Sequence, residues 1–120
     1  MRYEISIDGL EVKDHQTGLI WRATEEQGKF TFDEAQAHAE KVANQTGLPW
    51  RVPTADEFKT LLINEFPNDM KSTDFWSSTP FSDTDFEDFV MSISLHYGLV
   101  HKYSLYRHLP LAVCLVRTTN

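Results

Sequence analysis

Acidic and aromatic residues crowd one stretch of this 120-residue chain. Asp83, Asp85 and Glu87 alternate along it, Phe81 and Phe86 are interleaved with them, and Asp74 and Asp88 flank the group. No Lys or Arg occurs between Lys71 and Lys102, while the last nineteen residues hold Lys102, Arg107 and Arg117 and no acid. An extended backbone would set Asp83, Asp85 and Glu87 on one face, as oxygen ligands of a calcium ion require. No Asn or Gly completes a calcium loop there, so the alternative is a solvated loop with scattered charges. Exposed aromatics beside charges are also the composition of a recognition surface.

Other chemistry is thinner. The five histidines (His15, His38, His96, His101 and His108) include no pair at helical zinc spacing, and no Cys-x-x-Cys accompanies them. Cys114 is the single cysteine; it lies in an apolar run with no base close in sequence, where a thiol behaves as a small hydrophobe. Ser77-Ser78-Thr79 lacks a Gly-x-Ser-x-Gly elbow, and its hydroxyls are expected to serve backbone groups beside Trp76. No complete catalytic constellation and no cofactor signature is present. Arg51 is expected to pair with Asp56 or Glu57.

These residues need a scaffold, and the composition sets its scale. A chain of this length forms one domain that buries roughly two-thirds of its unfolded surface. The formal net charge of −7 argues against nucleic acid as a partner. No apolar run is long enough to span a membrane, and the first residues lack a signal-peptide core. With one cysteine there is no internal disulfide. A cytoplasmic location is expected.

Residues 3–7, 10–13 and 19–22 alternate as strands, the last two flanking a loop that ends on Gly18. A first helix starts at Thr31, with Glu34 closing a capping box, and stops near Gly47. The run Trp50-Arg51-Val52-Pro53-Thr54 then turns the chain sharply into a second helix. Pro53 forces Val52 to be extended, and Thr54 with Glu57 forms another capping box. That helix is expected over residues 55–65, with Phe58, Leu61, Leu62 and Phe66 at helical spacing. Residues 67–88 read as a long irregular loop, and strands return at 89–95, 99–105 and 111–117. A three-residue loop at His96-Tyr97-Gly98 would pair Leu95 with Leu99 and place Ile93 opposite His101, with the large apolar residues on one face. Trp21, Trp50 and Trp76 are expected to be core anchors.

Five motifs stand in order: Asp14 with Thr17-Gly18-Leu19-Ile20-Trp21, Thr31 with Glu34-Ala35, Trp50 to Thr54 with Glu57-Phe58, Phe75 to Thr79, and Val116-Arg117. Together they resemble the Lcl C-terminal domain family, over roughly residues 10 to 117. The resemblance implies a C-type-lectin-like fold related to the formylglycine-generating enzymes, and some family members bind glycans or host surfaces. The Glu-Pro-Asn or Gln-Pro-Asp triplet that such lectins bring to sugar-bound calcium is absent here. Many relatives have cysteines where this chain has Ala39 and Leu115, which fits a compartment without disulfides.

The expected fold is therefore α+β and C-type-lectin-like: two helices packed on a twisted antiparallel sheet, with a long irregular loop region. The expected function is a non-catalytic binding or protein-interaction module for a protein or glycan, using the loop 74–88 and the adjoining hairpin. Its candidate ligand-binding residues are Phe81, Asp83, Asp85, Phe86, Glu87, Tyr97 and Arg107. The alternative is a calcium- or zinc-dependent binding protein, or a hydrolytic enzyme, using the acidic loop. An open edge strand at 3–7 or 111–117 could mediate a homodimer.

Overall fold

A computed structural model describes residues 1–61, 66, 72, 74–80, 89–96 and 99–118. The elements in chain order are β1 (Tyr3–Ile5), β2 (Glu11–Asp14), β3 (Leu19–Arg22), α1 (Phe32–Thr46), α2 (Ala55–Lys59), β4 (Asp74–Pro80), β5 (Phe89–His96), β6 (Leu99–Tyr106) and β7 (Val116–Thr118). The class is α+β, as expected. Among the described residues the strands form two antiparallel sheets rather than one, with strand orders β1-β2-β3-β7 and β4-β5-β6.

The segment before β7 joins the two sheets. Residues 112–116 are buried throughout, and their alternation divides them between two core clusters. Ala112, Cys114 and Val116 join Trp21, Phe58, Phe75 and Ile93, while Val113 and Leu115 join Trp50, Trp76 and the Ala35, Ala39 and Val42 face of α1. Backbone bridges tie this spine to Phe30 through Leu111, to Phe75 through Ala112 and to Arg51 through Val116. A strand sandwiched in this way needs apolar residues on both faces, which is how Ala-Val-Cys-Leu-Val reads. The strand expected over 111–117 is thus a buried crossing segment, and only its end pairs regularly with β3.

Both capping boxes form. The Thr31 hydroxyl accepts the Glu34 N–H, and the Thr54 hydroxyl accepts the Glu57 N–H. Gly47 closes α1 in the left-handed region at φ 71°, which glycine adopts without steric cost. The second helix is shorter than its apolar spacing suggests. Thr60 ends it, returning its hydroxyl to the Glu57 carbonyl at 2.6 Å, and Leu61 reaches the core from the turn that follows. Residues 62–65 lie outside the described residues.

Two further expectations are corrected. Residues 74–80 are strand β4, not irregular loop: Phe75, Trp76 and Ser77 are all fully buried, so no alternation betrayed it. The β5–β6 hairpin pairs His96 with Leu99, Leu95 with Val100 and Ser94 with His101, a register one residue from the expected one. The expected register assumed one dry face. In β5, however, Ile93 is buried on one side and Val90, Ser92 and Ser94 on the other, so hydrophobic alternation does not fix the pairing.

Candidate functional site

The β4 register pairs Trp76 with Ser92 and Pro80 with Val90, and that of β5 pairs Phe89 with Tyr106. Pro80 and Phe89, where the 81–88 connection leaves and re-enters the sheet, therefore lie at the same sheet end as Arg107, which follows β6. Arg107 is held there by α1. Its guanidinium pairs with Asp33 in the first helical turn and lies 5.3 Å from the Phe32 ring centroid, and its carbonyl accepts the Phe32 N–H at 2.8 Å. The Arg107 Nε is buried and has no hydrogen-bond partner among the described residues. Arg107 thus caps the junction between α1 and the three-stranded sheet and still carries an uncommitted donor.

Phe81, Asp83, Asp85, Phe86, Glu87 and Tyr97 lie outside the described residues. His96 and Leu99, the described residues on either side of Tyr97, are paired at the opposite end of the hairpin from Phe89, about 23 Å away at 3.3 Å per residue. The anchors of the acidic connection and Arg107 come together; those of Tyr97 do not join them.

Polar residues named from sequence are largely committed to the scaffold. Arg51 makes a two-pronged pair with Glu57 at 2.6 and 2.7 Å, and Glu57 also accepts the Thr54 N–H at 2.8 Å. Burial pushes the Glu57 carboxyl up, but these hydrogen bonds outweigh it and hold it below its ordinary value. Thr79 accepts the Ala55 N–H at 2.9 Å, and the Ser77 hydroxyl donates to the Met91 carbonyl at 2.5 Å. These hydroxyls serve backbone groups as expected, from a strand rather than a loop. Burial pushes the Cys114 thiol far up, and the charges of Glu25 and Glu26 push it further, so a nucleophilic thiolate is strongly disfavoured.

Trp50 is 4 % exposed, and the guanidinium groups of Arg22 and Arg117 lie 5.5 and 5.2 Å from its ring. Glu11 pairs with Arg117 at 2.8 Å and Glu26 with Arg22 at 3.5 Å, so this cationic cluster is neutralised locally. Sequence reading missed the loop after β3. Glu25 accepts the Ser72 N–H at 2.8 Å, Lys29 donates to the Ser72 hydroxyl at 2.7 Å, and Glu26 pairs with His38 at 2.9 Å. Glu25, Glu26, Lys29 and Ser72 border an open depression of about 440 Å³. Its polar groups already bond one another across 47 or 43 residues of sequence, separations that no local pattern reveals. Among the described residues, no group of three His, Cys, Asp or Glu side chains could hold a metal ion.

Every motif of the five now has a structural task. The Asp14 carboxylate accepts the Thr17 hydroxyl at 2.8 Å and the Gln16 N–H at 3.0 Å, closing the β2–β3 turn. Thr31 and Glu34 start α1, the Trp50 segment starts α2 and docks on β4, and the Trp76 indole N–H donates to the Phe30 carbonyl at 2.7 Å. Arg117 braces Trp50. The family model that matches this chain is the Lcl C-terminal domain, over residues 10–117, which spans all five. None of the curated proteins compared with the chain matches it.

Proposed function

The chain belongs to the Lcl C-terminal domain family, and on that premise we propose that it is a C-type-lectin-like, non-catalytic binding module. Its ligand, a protein or a glycan, docks at the end of the three-stranded sheet that carries Pro80, Phe89 and Arg107. The observation that carries this reading is the strand register, which brings both anchors of the 81–88 connection beside Arg107 on a scaffold whose Phe75, Trp76 and Ile93 are wholly buried. A loop held at both ends by a rigid sheet is the usual seat of recognition. Phe81 and Phe86 supply the apolar contacts; Asp83, Asp85, Glu87 and Arg107 supply the polar ones. Tyr97, whose neighbours lie at the opposite end, is left out of this surface.

A cytoplasmic location fits the same picture. Ala39 and Leu115 sit in one apolar cluster, and Cys114 is free and buried. Among the described residues no helix is long and apolar enough to cross a membrane.

Thermal melting with calcium or zinc separates this reading from a metal-dependent one. A metal bound only by the folded state stabilises it by roughly 2.7 kcal/mol at a hundredfold excess over Kd. The expected result is no rise in Tm at millimolar metal. A rise abolished by the triple variant Asp83→Asn, Asp85→Asn, Glu87→Gln would replace the proposal with metal chemistry on the acidic stretch.

A further inference from the structure

We draw no further inference here: the strongest candidate, the open depression beside the loop after β3 bordered by Glu25, Lys29 and Ser72, carries nothing, because those side chains already bond one another and among the described residues nothing points to a ligand.

Discussion

Replacing Asp14 with alanine will lower the unfolding free energy by about 3 kcal/mol or more, because it strands a guanidinium and opens a turn at once. The Asp14 carboxylate is fully buried and takes both Arg2 Nε and Arg2 Nη2 at 2.9 Å, together with the Thr17 hydroxyl and the Gln16 N–H. Arg2 in turn donates to the Thr60 carbonyl at 2.5 Å, so this group links the β1 edge to the end of α2. Urea denaturation of the variant should show a lower midpoint with an unchanged slope.

The same residue sets a pH dependence. Burial pushes the Asp14 carboxyl up, but the hydrogen bonds from Arg2, Thr17 and Gln16, with the Arg2 charge, outweigh it and hold it below the usual value. In acid the unfolded chain therefore binds a proton at Asp14 before the folded chain does. The stabilisation is complete above the ordinary carboxylate pKa of about 4 and is lost as pH falls through the lower folded value. Glu57 is shifted in the same direction and adds to the effect. The gap in stability between wild type and Asp14→Ala should stay constant from neutral pH to about pH 5 and close below about pH 4. A gap that persisted undiminished in strong acid would mean that the pair does not act through its charge.

The second large effect is at Trp76. Its ring is fully buried, meets Phe32 edge-on at 5.9 Å and packs with the Ala35 and Ala39 face of α1, while its N–H holds the Phe30 carbonyl. Trp76→Ala should cost about 3–5 kcal/mol through lost burial and the cavity left behind. Trp76→Phe should cost less, about 1–3 kcal/mol, since most of the ring is kept and the Phe30 carbonyl, though it loses the indole N–H, still accepts the Leu111 N–H at 2.9 Å. Equal losses in the two variants would mean that the hydrogen bond, not the packing, carries the site.

Trp76 also shows what the sequence made legible. Its role as an anchor follows from residue type, and the capping boxes at Thr31 and Thr54 follow from three-residue spacing, because each is a local cause. The strand around it did not declare itself, since Phe75, Trp76 and Ser77 are buried together and leave no period of two. The β5–β6 register escaped for a related reason: buried Ser92 and Ser94 make both faces interior. The Arg51–Glu57 pair was within reach at six residues; Arg2–Asp14 across strands, and Glu25–Ser72 across the fold, were not. As for the candidate site, composition pointed to residues 74–88 and the adjoining hairpin, but only the register could show 74–80 as strand, place Pro80 and Phe89 at the Arg107 end and put the neighbours of Tyr97 at the other.

The most direct test of the binding-module account is a combined glycan and peptide array, probed with wild type and with the double variant Phe81→Ala, Phe86→Ala at matched melting temperature. The account predicts a defined set of bound ligands that remain chemically unchanged after incubation and that the double variant no longer holds. Binding that persists in the double variant, or bound ligands that are turned over, would contradict it.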